Sequence, residues 1–253
     1  MSDKLNGKFL MVDGLDGVGK GVVLDAIVEH VVDNGKRVFD LHDFWKENHN
    51  HPDFTNNNSK YYHDLDSFDV LVSAEPTFVG IGKALREEII KKNGRKYSVK
   101  YTADAYAMDR MILYQRVLIP ALKAGKTVLQ SRSVSTSIVY QPLQSTMQGE
   151  EPLSVEDILS LEGNNLALQY APDLFIIPTI KNVEEVMERL EKRSKKDDCD
   201  FENLEFQLKL KPHYESEKLR KIFEERGTRV EYLDAGISID STKKQAVNIF
   251  KKV

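Results

Sequence analysis

The segment from Gly14 to Gly21 constrains the fold more than any other part of the chain. It satisfies the pattern G-x-x-x-x-G-K, and it lies between an apolar run, Phe9 to Val12, and a helical pattern, Val22 to Val32. In this context glycines let backbone N–H groups close around phosphate oxygens, and the helix N-terminus favours the same anion. The residues predicted to bind the phosphates of a nucleoside triphosphate are Gly14, Leu15, Asp16, Gly17, Val18, Gly19, Lys20 and Gly21.

Lys20 is the predicted charge of this loop, bridging the β- and γ-phosphates. The pattern usually continues with Ser or Thr, whose hydroxyl binds Mg²⁺, but Gly21 follows the lysine here. Phosphate binding should survive this change, because it depends on the backbone and on Lys20. The sequence therefore does not identify the metal ligands, and Asp13 or Asp16 could hold the ion through water.

Short apolar runs alternate with helical patterns along the rest of the chain. The strand-like runs are Phe9 to Val12, Arg37 to Leu41, Phe68 to Ser73, Thr127 to Gln130, Asp173 to Pro178 and Arg229 to Leu233. The helical patterns are Val22 to Val32, Ile81 to Lys92, Ala103 to Ala124, Val155 to Gln169, Val183 to Arg193 and Phe206 to Arg226. This alternation predicts a three-layer α/β/α fold of the P-loop NTPase type, with a central, mostly parallel sheet of five strands.

We expect one domain over residues 1–253, with an insertion at about 44–67. Phe44 to Ser67 lacks periodicity and is too long for a common connection. Its three histidines match no standard metal-ligand spacing, which favours a solvated loop near the acceptor side.

Composition excludes several classes of protein. A net charge of -4 argues against a general nucleic-acid-binding protein, which would carry a basic stripe. The single cysteine, Cys199, allows no internal disulfide, and its acidic neighbours favour an unreactive thiol. No stretch resembles a signal peptide or membrane span, so we expect an intracellular, cytoplasmic protein without a membrane partner.

Polar residues at the predicted strand ends indicate a second, acceptor side. Glu75 and Pro76 follow one strand, and Arg132 follows another, where open parallel sheets bind ligands. Tyr106 and Arg110 are one helical turn apart, so the ring and the guanidinium share a face.

Several motifs in series resemble the thymidylate kinase family of nucleoside monophosphate kinases. The family's E-G-L-D-G-x-G-K loop is similar to Asp13 through Lys20, and its E-P-G-G-T-x-x-G-x-x-[IL]-R segment to Glu75 through Arg86. Further similar segments are Tyr106 through Lys126, Ser131 through Gln141, Pro172-Asp173-Leu174, Arg189 to Asp200 and Asp234-Ala235. The resemblance implies transfer of the γ-phosphoryl group of ATP to dTMP with Mg²⁺, nucleotides as the partners, and a homodimer.

The resemblance also implies roles for single residues. Asp16 would accept the 3′-hydroxyl of the deoxyribose, Tyr106 would stack on the base, and Arg110 would donate to a base carbonyl. Arg132 would bind the acceptor phosphate with its bidentate fork. Lys20, Arg132 and Asp16 are therefore candidate catalytic residues.

The remaining acceptor pocket would come from four residues. Ser137 and Tyr140 would complete the base and sugar pocket, and Glu75 with Pro76 would shape its floor. Uracil and thymine differ by one methyl group, so base preference is left open.

A lid at about 189–204 would neutralise charge in the transition state. Arg193 is the predicted catalytic arginine, with Arg189 and Lys196 as support. Asp197-Asp198 stands where the family often has D-R, which leaves the lid one cation poorer.

Two other functions stay open at this point. Gly21, Ser131 and Asp198 depart from the family pattern and would suit a nucleotide-binding pseudoenzyme, since Ser131 replaces an Asp associated with Mg²⁺. Ser131-Arg132-Ser133 also resembles a motif of deoxynucleoside kinases, in which Glu75 would serve as the general base.

Overall fold

The structure is a computed structural model that describes residues 5–191 and 203–253. Its strands are β1 (Lys8–Val12), β2 (Val38–Asp40), β3 (Val70–Ala74), β4 (Thr127–Ser131), β5 (Leu174–Thr179) and β6 (Arg229–Asp234). Its helices are α1 (Lys20–Asp33), α2 (Leu41–Asn48), α3 (Gly80–Leu85), α4 (Val99–Leu113), α5 (Ile119–Lys123), α6 (Val134–Met147), α7 (Val155–Ser160), α8 (Glu162–Gln169), α9 (Glu184–Glu191), α10 (Leu204–Tyr214), α11 (Glu217–Glu224) and α12 (Ile239–Phe250). A 3₁₀ turn covers Tyr62–Ser67, and π-helical turns at Arg86–Ile90 and Tyr114–Leu118 extend α3 and α4.

Within the described residues, six strands form one sheet in the order β2-β3-β4-β1-β5-β6. Every neighbouring pair is parallel. The expected number of five strands is therefore wrong, because both edge segments pair with the sheet. Strand β2 pairs with β3 over three residues, and β6 pairs with β5 along its whole length.

The three-layer α/β/α arrangement is confirmed. Strand β3 is buried at every position, and β1 is buried at all but its first residue. Parallel strands covered by helices on both faces have such continuous apolar sequences. The layers place the ends of β1, β3 and β4 side by side, and the polar residues that follow these strands meet at one edge.

Two predicted helices are each divided in the structure. The pattern from 155 to 169 becomes α7 and α8, because Leu161 between them is extended, with φ −63° and ψ 129°. The pattern from 206 to 226 becomes α10 and α11, where Ser216 accepts a hydrogen bond from the backbone N–H of Leu219. Helices α2 and α12 were not predicted.

The segment at 44–67 is not a solvated loop throughout. Helix α2 contributes Trp45 to the core, and Phe54 and Leu65 are also buried. Phe39 contacts the rings of Phe44 and Phe54, so an aromatic cluster holds the segment against the sheet.

Among the helices of the described ranges, none is both long and apolar enough to cross a membrane.

Candidate active site

The predicted phosphate loop connects β1 to α1 at the carboxyl end of the central strands. Gly17 and Gly19 have φ values of 78° and 113°, which glycine adopts without strain. The Lys20 ammonium donates to the carbonyl oxygens of Gly14, at 2.9 Å, and Leu15, at 2.6 Å. The Lys20 ammonium therefore lies over its own loop. Phosphate oxygens of a bound nucleotide would replace these two carbonyl oxygens as its acceptors.

Helix α9 packs directly on Gly17. A Cβ atom at this position would lie 2.7 Å from Cγ of Leu190 and 3.0 Å from Cγ1 of Val186. Both apolar side chains are buried. A side chain at position 17 would therefore require α9 or these two apolar side chains to move.

The Asp16 carboxylate joins the cations of the site. Its Oδ1 accepts a hydrogen bond from Nη2 of Arg132 and lies 3.7 Å from Nζ of Lys20. Its Oδ2 accepts from the Tyr140 hydroxyl at 2.8 Å and from Nε2 of Gln207 at 3.2 Å. Burial raises the pKa of Asp16, but the charges of Arg132 and Lys20 and the hydrogen bonds outweigh it and hold this pKa well below its usual value.

Asp13 is fully buried and holds the start of α6 against the loop. Its carboxylate accepts hydrogen bonds from the hydroxyls of Ser135 at 2.6 Å, Thr136 at 2.7 Å and Tyr214 at 3.1 Å. It also accepts from the backbone N–H of Gly14 at 2.8 Å. Asp13 is therefore an anchor for the loop and the helix.

Arg132 follows β4 in a left-handed conformation, with φ 62°. Its backbone N–H donates to the carbonyl of Val12 at 2.9 Å, which continues the pairing of β4 with β1. The guanidinium lies 5.8 Å from the ring centroid of Tyr140 and 3.7 Å from Oδ1 of Asp13. The strand end thus directs this cation towards the phosphate loop.

Asp16, Lys20 and Arg132 line one open cavity of about 530 Å³, a size suited to a nucleotide-like ligand. The predicted site residues on its wall are Asp16, Gly17, Gly19, Lys20, Gly21, Glu75, Pro76, Tyr106, Arg110, Arg132, Ser137 and Tyr140. The predicted loop residues Gly14, Leu15 and Val18 are not on this wall, and all three are buried. Any contact of these three with a phosphate would come from the backbone.

Glu75 is a buried carboxyl group at the end of β3. It accepts hydrogen bonds from Nε2 of Gln130 at 2.7 Å and from the Ser133 hydroxyl at 3.2 Å, and it pairs with Nη2 of Arg110 at 2.7 Å. Burial raises the pKa of Glu75 to about 7, although Arg110 favours the charged form. This group therefore titrates near neutral pH.

We expect the free energy of unfolding to fall, relative to a Glu75→Gln variant, as the pH rises from about 4.5 to about 7. The folded protein keeps the proton on Glu75 up to a pKa of about 7, whereas the unfolded chain releases it near the ordinary value of 4.5. The extra bound proton stabilises the folded state at low pH. As the pH rises between these two values, the free energy of unfolding falls by at most about 1.4 kcal/mol per pH unit. Urea unfolding curves at half-unit pH steps measure this difference. Parallel pH profiles of the two proteins would contradict the assignment.

Arg110 is almost completely buried on the cavity wall. Besides Glu75, it donates to Oδ1 of Asn164 and, at 3.3 Å, to the Ser137 hydroxyl. Asn164 is fixed in turn by its amide, which donates to the carbonyl of Ile158 at 2.7 Å. The guanidinium is held from three sides, and its Nε is buried without a hydrogen-bond partner.

The residues that the structure describes do not form a set of direct ligands for a resident magnesium ion. A Cβ at Gly21 would meet nothing within 4 Å, so the space of the usual hydroxyl is open. The carboxylates of Asp13 and Asp16 already accept several hydrogen bonds, and Ser131 offers only a hydroxyl. In the part of the chain that the structure describes, no group of three or more His, Cys, Asp or Glu side chains could hold a metal ion.

The lid prediction falls mainly outside the described residues. Arg193, Lys196 and Cys199 all lie between 191 and 203. Arg189 is described within α9, where its guanidinium lies 4.0 Å from the carboxylate of Glu185 one turn earlier.

Sequence reasoning missed the residues that support the site from distant segments. Gln207 and Tyr214, on α10, contact Asp16 and Asp13, and Asn164, on α8, contacts Arg110. These partners are more than 50 positions away along the chain, so no local pattern indicates them. Phe78 also lines the cavity and was not predicted.

Comparisons with known proteins agree with this geometry. Residues 54–246 match the family model described as "Thymidylate kinase". A "Probable thymidylate kinase" of Pyrococcus abyssi is 25% identical over 98% of this chain and 97% of its own. The thymidylate kinase of Ligilactobacillus salivarius is 25% identical over 97% of this chain and 98% of its own. A solved thymidylate kinase from Candida albicans is 18% identical with a TM-score of 0.63, covering 99% of this chain and 93% of that one, and it shares the fold.

Proposed function

The chain belongs to the thymidylate kinase family, and on this premise we propose that it transfers the γ-phosphoryl group of ATP to dTMP, giving dTDP. One observation supports this most. Lys20 and Arg132 meet at the same oxygen of Asp16 inside a single cavity. Two cations this close can hold a donor phosphate and an acceptor phosphate next to each other, which is the arrangement that phosphoryl transfer requires.

The donor half is the loop at 14–21. Its backbone N–H groups would surround the β- and γ-phosphates, and the N-terminus of α1 would face the same charge. Lys20 would leave the carbonyls of Gly14 and Leu15 and bind phosphate oxygens instead. The loop needs no large rearrangement, because the left-handed glycines are already in place.

The acceptor half would hold dTMP against α4 and α6. Tyr106 would stack on the base, and Arg110 would donate to a base carbonyl from the orientation that Glu75 and Asn164 impose. Such donation favours a ring with a carbonyl at this position over one with an amino group. Ser137 already contacts the same guanidinium and so belongs to this base pocket.

The sugar and phosphate of dTMP would meet the Asp16 side of the cavity. Asp16 stays ionised across the neutral range, so it can accept the 3′-hydroxyl, and Tyr140 would pack beside the sugar. Arg132 would bind the phosphate with its fork, and Pro76 would close the floor. Catalysis would then consist of alignment and charge neutralisation, with Arg193 adding charge from the lid and Arg189 and Lys196 in support.

Magnesium would enter with the donor nucleotide as part of the substrate, held by phosphates and water, because the described residues do not fit a resident ion. We also propose that the chain works in the cytoplasm as a homodimer. Light scattering on a size-exclusion column would then give twice the chain mass of 28.9 kDa.

A screen of nucleosides and nucleoside monophosphates with ATP and Mg²⁺ tests the function. We expect dTMP to give the highest kcat/KM. The kcat/KM for dUMP should be lower by about 10- to 200-fold, the usual range for one missing methyl group. Phosphorylation of thymidine but not dTMP would instead indicate a deoxynucleoside kinase. Binding of ATP and dTMP without turnover would indicate a nucleotide-binding scaffold.

A further inference from the structure

Phe78 reaches the wall of the acceptor cavity from the short loop between β3 and α3. The loop is fixed by Asp109, whose buried carboxylate accepts from the backbone N–H of Thr77 at 2.8 Å and from its hydroxyl at 2.7 Å. Nε of Arg86 donates to the carbonyl of Thr77 at 3.1 Å. The direction of the Phe78 side chain is therefore set by the backbone, although 40% of it is exposed.

The Phe78 ring connects a cation in the cavity with the aromatic residues behind it. The guanidinium carbon of Arg86, which also lines the cavity, lies 3.6 Å from the ring centroid. Trp45 stacks on Phe78 at 5.9 Å with an interplanar angle of 30°, and His42 contacts it edge-on at 5.2 Å. Both Trp45 and His42 belong to α2.

Trp45 is itself held rigidly. It is 1% exposed, and its Nε1 donates to Nδ1 of His51 at 3.2 Å. Burial lowers the pKa of His51 to about 4, so the ring is neutral and Nδ1 is available as an acceptor. The carbonyl of His51 accepts from Nη2 of Arg116 at 3.1 Å, and the carbonyl of Arg116 accepts from the N–H of Phe54.

We propose that residues 41–54 act as a buttress for the acceptor cavity, with Trp45 and Phe78 as positioning residues that hold the Arg86 guanidinium on the cavity wall. The match to the family model begins at residue 54, the last residue of the buttress. This inference rests on the proposed function and deepens it. It assigns the segment at 41–54 to binding of the nucleotide acceptor rather than of ATP.

Substitution of Phe78 gives the direct test. Phe78→Ala removes the ring that contacts the Arg86 guanidinium. We expect the Kd of dTMP, measured by calorimetry, and the KM of dTMP each to rise about tenfold. This rise corresponds to the free energy of a cation–π contact in a partly buried site. Phe78→Leu keeps apolar bulk without the ring and should act in the same direction. Phe78→Tyr keeps the ring and should restore wild-type values. The KM of ATP should stay within about twofold in all three.

Trp45 is the only tryptophan, and its substitution tests the second step. We expect Trp45→Leu to raise the KM of dTMP several-fold, since Phe78 loses its stacking partner. Phe223→Leu is the matched control, because Phe223 is also a buried aromatic residue but lies on α11 and contacts Phe175. It should leave the KM of dTMP unchanged, and a similar rise in Phe223→Leu would overturn the proposal.

The outcomes separate this inference from the function on which it rests. If wild-type protein binds dTMP and phosphorylates it but Phe78→Ala keeps the wild-type Kd and KM of dTMP, the buttress is refuted and the kinase function stands. Equal rises in the KM of dTMP and ATP would also refute the buttress. If the wild-type protein binds no dTMP, both are overturned.

Discussion

Replacing Lys20 with alanine is expected to lower kcat by roughly 100- to 1,000-fold or more, the usual cost of removing one preorganised charge from a transition state. The ammonium is the only side-chain cation that the loop at 14–21 contributes, and it lies directly over the loop. Without Lys20, only backbone N–H groups of the loop would face the negative charge that develops on the transferred phosphoryl group. Steady-state rates with both substrates saturating measure the effect.

The fold should tolerate this substitution. Lys20 contributes two hydrogen bonds to its own loop, each worth about 1 kcal/mol, so the melting temperature should fall by no more than about 4–8 °C. Lys123→Ala, an exposed lysine at the end of α5, is the matched control and should keep wild-type turnover. Near-normal kcat in Lys20→Ala would remove the loop from the mechanism.

Arg132→Ala is expected to raise the KM of the nucleotide acceptor about 100-fold or more while changing the KM of ATP by no more than about threefold. A bidentate arginine–phosphate contact is strong because it combines charge with two aligned hydrogen bonds. Arg132→Lys keeps the positive charge without the bidentate guanidinium, so its KM for the acceptor should lie between the values of the wild type and of Arg132→Ala. Initial rates with each substrate varied in turn measure this difference. Equal effects on both substrates would contradict the assignment of Arg132 to the acceptor side.

Loss of stability has to be separated from loss of binding in this variant. Removal of Arg132 leaves Asp16 buried without its main counter-ion, which costs about 3–5 kcal/mol in comparable buried pairs. Asp16→Asn combined with Arg132→Ala removes the stranded charge and should recover part of this stability. The KM of the acceptor should stay high in the double variant, because the phosphate ligand is still missing.

Much of the fold and of the candidate site follows from local sequence. The apolar runs at β1, β3 and β5 identify buried parallel strands, and the glycines with Lys20 identify the loop. Arg132 and Glu75 line the same cavity, because both follow strands whose carboxyl ends meet at the same edge of the sheet.

The remaining features depend on contacts that leave no local pattern. Asn164 is an ordinary polar residue in the sequence, and only the packing of α8 against α4 brings it to Arg110. The polar residues around Trp45 and Phe54 favour a loop at 44–67, yet these two side chains are in the core. Strand β6 has only Val230 and Leu233 buried, and its place in the sheet depends on pairing with β5.

The close packing of Leu190 and Val186 on Gly17 has a consequence for homologous sequences. A larger residue at position 17 needs smaller side chains at 186 and 190, or a displaced helix. These three positions should therefore covary among relatives, with a larger residue at position 17 accompanied by smaller side chains at positions 186 and 190. A cationic side chain at position 17 would then require compensating changes in α9, the helix that packs on the loop.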